Sequence, residues 1–186
     1  MTAPVSNKSS YAFAQHMQRV WTDHAIWTRN FIVAAVDERP EVTEAAARWL
    51  RCGDEFGTTL DEYYSRRTAR RVAKLLQRHV TVAIDLVEAA RHGDRTKYGD
   101  IDSVWASNGE EFVDELCARN LSWAREELVF KWDLVRSLTR RDLAARLEPN
   151  FDHDVDLFDQ LLTANISFGD VVTDGILRQF ADRFAA

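Results

Sequence analysis

The sequence is short of the residues that break or staple a chain: 7 glycines, 3 prolines and 2 cysteines in 186 residues. So little glycine and proline excludes a collagen-like or linker chain, and leaves few positions for the tight turns of a sheet-rich fold. The two cysteines, Cys52 and Cys117, make neither a disulfide framework nor a zinc-ligand spacing. They point to a reduced, cytoplasmic protein. No run reaches the length of a membrane-spanning helix, about 20 apolar residues. The opening Met1-Thr2-Ala3-Pro4-Val5-Ser6-Asn7-Lys8 lacks the apolar stretch of a signal peptide. An excess of positive charge is missing too. With 24 Lys and Arg against 30 Asp and Glu, the formal net charge is −6, so nucleic acid is not the expected partner.

What the chain has is apolar content, 46% of residues, laid out at steps of three and four. Phe13, Met17, Val20, Trp21, Trp27, Phe31 and Ala34 form one such stripe, in a helix from Ser9 or Ser10 to about Val36. Either serine could cap it. A short helical pair is expected over 41–64, broken near Gly53. Helices follow over about 66–91, 100–118, 122–147 and 152–184, with Gly93 and Pro149 at two of the stops. The fold expected is all-α, an up-down antiparallel bundle of about five long helices plus the short pair. Residues 1–9 read as a flexible leader and 10–186 as one domain.

The residues that interrupt these stripes are the informative ones. His24 lies between Val20 and Trp27, and His79 between Leu76 and Val82, each near the middle of its helix. Asn108 follows Trp105 on the fourth helix and Asn165 falls between Leu162 and Phe168 on the last; Thr139 is a milder case. A buried polar group without a partner costs roughly 1–3 kcal/mol. Several at one depth should therefore meet one another, water or a ligand. Taken singly, each fits a structural network that fixes helix register. Taken together, they suggest a central pocket walled by Trp27 and Trp105, with Arg29 at its rim.

A metal is the sharper alternative. The Glu-x-x-His pattern of di-iron bundles is absent, as is His-Glu-x-x-His. His24 and His79 with Glu111 or Asp170 would still make a two-His-one-carboxylate site for a divalent transition metal, if three helices converge. The acidic run Asp152-His153-Asp154-Val155-Asp156 lacks the glycine and terminal glutamate of a calcium loop and suits a helix N-terminus. The basic run Arg66, Arg67, Arg70, Arg71, Lys74, Arg78 shares one helix face. It reads as a solvated face or as an anion-binding strip rich in arginine.

Several stretches resemble, in their order along the chain, a family of small bacterial all-helical proteins. They are Trp21-Thr22-Asp23-His24-Ala25-Ile26-Trp27-Thr28-Arg29, Leu75-Leu76-x-x-His79 through Gly93-Asp94 to Trp105-x-x-Asn108, and Gly169-Asp170 through Gly175-Ile176 to Gln179-Phe180. Members of that family are often labelled acetylglutamate kinase. An amino-acid kinase needs an α/β fold with glycine-rich phosphate loops, and this sequence has neither. The resemblance implies a helical fold and draws attention to His24, Trp27, Arg29, His79, Asn108 and Asp170. It also implies a further histidine on the fifth helix, where this chain reads Trp132-Asp133-Leu134-Val135.

Three functions follow as expectations. The first is a binding protein that takes a small ligand or metal through His24 and His79, an anionic ligand fitting the histidine and arginine content. The second is an enzyme using a histidine as acid or base, or a metal. The third is a non-catalytic interaction protein whose polar network only sets register. Bundles of this kind also commonly form homodimers through an exposed apolar stripe.

Overall fold

The computed structural model describes residues 8–185. Six helices account for most of them: α1 (Lys8–Val36), α2 (Val42–Asp61), α3 (Arg66–Arg91), α4 (Arg95–Cys117), α5 (Arg125–Leu147) and α6 (Phe151–Gln179). A 3₁₀ turn, Ala181–Arg183, follows α6. There is no strand among the described residues. Each helix packs against the next, and α6 returns against α1 to close the ring. Antiparallel neighbours joined by short turns give the expected up-down bundle. Helix α1 also touches α3 and α5, which makes it the innermost member. No described helix is long and apolar enough to cross a membrane.

The helix ends show why the boundaries moved. Ser9 and Ser10 lie inside α1 rather than capping it. Ser65 caps α3 by accepting from the Thr68 N–H at 3.2 Å. Gly93, with φ of +67°, turns the chain out of α3. Asp94 then accepts from the Lys97 N–H, so α4 begins at Arg95, a turn before the expected start near 100. Helix α5 begins at Arg125, after Asn120 has accepted the Ser122 N–H in the preceding turn. Of the expected leader, residues 1–7 lie outside the described residues.

The expected pair over 41–64 is one helix. Gly53 does not break α2; it lets α2 lie close on α3. A Cβ at Gly53 would come within 2.7 Å of the Gln77 side chain, and one at Gly57 within 2.6 Å of the Ala73 Cβ. Glycine here marks close helix approach rather than a turn. The last helix ends at Gln179, five residues short of the expected end at 184, and the chain finishes in the 3₁₀ turn.

The core is divided. One apolar cluster contains Met17, Trp21, Phe56, Leu76, Phe112 and Phe168. A second contains Phe31, Trp49, Val80, Trp105 and Leu143. On α1 and α3 the chain crosses from one cluster to the other at His24 and His79, and on α4 at Asn108. The polar residues flagged in the stripes form the layer between two hydrophobic halves.

Candidate functional site

Every helix sends a side chain to this layer. Trp21 and His24 come from α1, Trp49 from α2, His79 from α3, Trp105 and Asn108 from α4, Trp132 from α5 and Asn165 from α6; all are buried. The His24 and His79 rings lie 6.1 Å apart between centroids. Trp132 packs on both, 4.6 Å from His79 and 6.1 Å from His24. Trp105 covers the other side of His79 at 4.9 Å and donates its indole N–H to the His79 carbonyl at 3.0 Å. Trp21 and Trp49 each stand 5.9 Å from His24.

Hydrogen bonding fixes the chemistry of these rings. The Asn165 amide donates from Nδ2 to the Leu161 carbonyl at 2.9 Å, so its Oδ1 is the atom that meets His24. That oxygen can only accept, and His24 therefore donates from Nδ1, at 3.1 Å. The proton on Nδ1 leaves Nε2 with a bare lone pair. Asn108 likewise donates from Nδ2 to the Leu75 carbonyl at 3.3 Å. Its Oδ1 finds no partner among the described residues, and neither do His24 Nε2, His79 Nδ1, or the Nε1 of Trp21, Trp49 and Trp132. Native cores leave few such atoms, and here six sit at one level.

Burial keeps both imidazoles neutral. It pushes His24 down to about 4, the Asn165 hydrogen bond offsetting only part of the effect. It holds His79 well below its ordinary value, with His24 and the Arg136 guanidinium adding to the shift. Arg136 lies over the Trp105 ring, 5.1 Å from its centre.

The structure brings His24, His79, Trp105, Asn108 and Asn165 together as expected, and separates the other candidates. Trp27 is half-buried in a groove between α1 and α2 with Asn30, Ala34 and Arg48. It carries the Arg48 guanidinium on its face at 5.4 Å and walls nothing at the centre. Three residues on from His24, it turns toward the outer side of α2. The two-His-one-carboxylate set does not assemble. Glu111 is ion-paired with Arg71 and Arg78 on the outer face, and Asp170 is exposed on α6. Among the described residues no group of three or more His, Cys, Asp and Glu side chains is placed to hold a metal ion.

Arg29 belongs to a second buried cluster. It donates to Asp142 at 2.9 Å and to both carboxylate oxygens of Asp154, the longer of these bonds at 2.6 Å. Arg146 reaches Asp154 at 3.4 Å and is also paired with Asp37. Both carboxylates are sealed from solvent, with side-chain exposures of 0% for Asp142 and 1% for Asp154. Burial pushes Asp142 up to about 7, against the pull of Arg29. Burial opposes ionisation of Asp154 too, but the Arg29 hydrogen bonds outweigh it and hold that carboxyl below its usual value. Asp152 serves the start of α6 as expected; Asp154, two residues on, does not face the solvent.

These shifts give stability a pH profile. A buried histidine lowered to about 4 from 6.5 releases a proton on folding, so stability rises with pH between those values, and His79 acts in the same direction. Asp142, raised from 3.8 to about 7, takes up a proton on folding, so its contribution falls as pH rises to 7. The two rising slopes outweigh the one falling slope between about pH 4 and 6.5; above that the unfolded histidines and Asp142 finish titrating over the same interval and nearly cancel. Stability measured by urea unfolding is therefore expected to rise from about pH 4 to about 6.5 and to level off above it. Asp142→Asn should steepen that rise, and an unchanged slope in that variant would disprove the assignment.

Sequence reasoning missed two members. Trp49 follows the three- and four-residue steps Ala45, Trp49, Cys52 and Phe56, and that stripe would have placed it inward. Asp142 stands four after Leu138 and three before Ala145 on the buried face of α5, a carboxylate within an apolar stripe. No protein-family model, curated protein or solved structure matches the chain.

Proposed function

We propose that the protein is a binding protein whose site is the closed His24–His79 centre, and that its ligand is a small, uncharged polar molecule. The observation that carries this reading is the concentration of unpartnered polar atoms where all six helices meet. The indole N–H groups of Trp21, Trp49 and Trp132 offer donors; His24 Nε2 and Asn108 Oδ1 offer acceptors. A guest with both kinds of group satisfies such a mixed set, at a level where each unmet atom costs roughly 1–3 kcal/mol. An anion is poorly served, because Arg29 is committed to Asp142 and Asp154 and the imidazoles are neutral. Acid–base catalysis is also poorly served, since a ring lowered to about 4 carries no proton to give at neutral pH. The surface grooves found among the described residues are not lined by either histidine. Entry therefore requires a local opening of the bundle. The free thiols of Cys52 and Cys117 suit a reducing, cytoplasmic setting.

One observation favours a second ligand. An ion held about 2 Å from a nitrogen of each of two facing imidazoles separates the ring centres by roughly 6 Å, close to the 6.1 Å found. With no carboxylate at the centre and Arg136 nearby, a soft monovalent ion such as Cu(I) fits better than the divalent metal expected from sequence.

Thermal melts with a panel of small amides, azoles and polyols, and with Cu(I) under anaerobic conditions, test both readings. At least one compound should raise the midpoint of the wild type. His24→Leu with His79→Leu should melt at or above the wild type, as apolar replacements of buried polar groups often do, yet lose that shift. A stabilised double variant with no compound and no Cu(I) acting on the wild type would reduce the centre to a register-setting network.

A further inference from the structure

Among the described residues of this acidic chain lies a strongly basic groove. It lies between the first turns of α3 and the C-terminal end of α4 and encloses about 600 Å³. Arg66, Arg67, Arg70, Arg71 and Lys74 line it from α3 and Arg119 from the turn that follows α4, with Glu115 of α4 as the acid among them. Three of these cations are committed elsewhere. Arg66 lies 3.7 Å from Asp61, Arg71 is paired with Glu111, and Arg119 lies 3.0 Å from Glu115. Arg67, Arg70 and Lys74 take part in none of the ion pairs or side-chain hydrogen bonds found among the described residues, and all three are exposed.

Folding alone gives no reason for this arrangement. Arg66 and Arg70, Arg67 and Arg71, Arg70 and Lys74, and Lys74 and Arg78 each stand four residues apart on α3. Like charges at that spacing destabilise a helix by roughly 0.2–0.5 kcal/mol per pair. Acidic residues at some of these positions would reverse the sign of that effect. The repulsion is relieved when an anion enters.

We propose that this groove binds a free small molecule carrying two or more phosphate groups, of about nucleotide size. Its volume lies within the range of small-molecule sites, roughly 300–1,000 Å³. Its cations are mostly arginines, whose planar forks bind phosphate oxygens in pairs. The rest of the chain sets the size of the partner. With a formal net charge of −6 overall, the chain as a whole repels a long polyanion or a flat anionic surface. A compact oligophosphate ends within the groove. This site is separate from the His24–His79 centre and does not depend on it.

Isothermal titration with sodium tripolyphosphate and with ATP, at about 0.05 M and about 0.2 M salt, provides the test. Binding in the range of roughly 10–100 μM at the lower salt, weakened at the higher, is expected. Arg67→Gln with Arg70→Gln and Lys74→Gln should weaken it at least about tenfold while leaving the thermal midpoint at or above that of the wild type. The His24→Leu/His79→Leu variant should bind tripolyphosphate as the wild type does, which separates this site from the central one. No heat with either compound at millimolar concentration overturns the proposal, as does undiminished binding by the triple-Gln variant. Binding confined to phosphatidylcholine–phosphatidylglycerol vesicles, or to a single-stranded oligonucleotide, with tripolyphosphate silent, also overturns it.

Discussion

Arg29→Met is expected to lower the free energy of unfolding by about 3–5 kcal/mol, the range for removing one partner of a buried ion pair. The methionine fills most of the volume, so the loss is electrostatic. Asp154 would keep only Arg146, at 3.4 Å, and Asp142 would lose the one hydrogen-bonded cation it has. Both carboxylates are sealed from water and would have to take up protons or bring solvent into the bundle. Asp142, already at about 7, would be driven higher, so the variant should be least stable in alkali. The companion variant, Arg29→Met with Asp142→Leu and Asp154→Leu, removes the charges along with their partner and should recover most of the loss. Urea unfolding of both variants decides the matter. A loss below about 1 kcal/mol in the single variant would class the cluster with exposed ion pairs.

That cluster also marks where sequence reading stops. Arg29 stands five residues from His24, which places it off the histidine face but names no partner. Its carboxylates lie 113 and 125 residues away. Asp154 was indistinguishable from its neighbours Asp152 and Asp156, because an acid in the first turn of a helix satisfies the helix dipole whether or not it is buried. Asp142 did carry a signal, its position in the buried stripe of α5, but Arg140 and Arg141 beside it suggest a charged outer face.

The centre was more legible because local periodicity encodes it. A polar residue in a stripe of three- and four-residue steps points where the stripe points. In an up-down bundle, two mid-helix positions arrive at similar depth, and His24 and His79 do meet. Periodicity settles direction only to within the width of a stripe. Trp27 lies at a stripe edge and leaves the centre for the α1–α2 groove; Glu111, beside the buried Phe112, faces Arg71 instead. Gly53 misled for a different reason. Glycine in a helix reads as a break when only the chain itself is considered, and its actual cause, the approach of α3, lies in another segment.

Trp132→Ala is expected to cost about 3–5 kcal/mol, the usual range for truncating a buried aromatic to alanine. The loss should exceed that at Trp27, which is only half-buried. Trp132 joins the first apolar cluster to the histidine layer: Phe168 at 4.8 Å and Phe112 at 5.0 Å on one side, His79 at 4.6 Å on the other. Its removal opens a ring-sized space bounded by both imidazoles. An aromatic guest of the lost shape should bind there and raise the melting point in proportion to the logarithm of its concentration. Comparing indole with indene, which has the same outline but no N–H, then reads the polarity of the centre directly. The Trp132 Nε1 has no hydrogen-bond partner, so the surroundings do not reward an N–H at that point, and the two guests should rescue the variant to within about threefold in affinity. A preference for indole of tenfold or more would mean that His24 Nε2 or Asn108 Oδ1 turns to accept from the guest. The acceptors of the centre would then be available to an entering ligand without any helix having moved. Failure of both guests would show that the six helices collapse onto the space, and that the layer is held open by the indole rather than by the bundle around it.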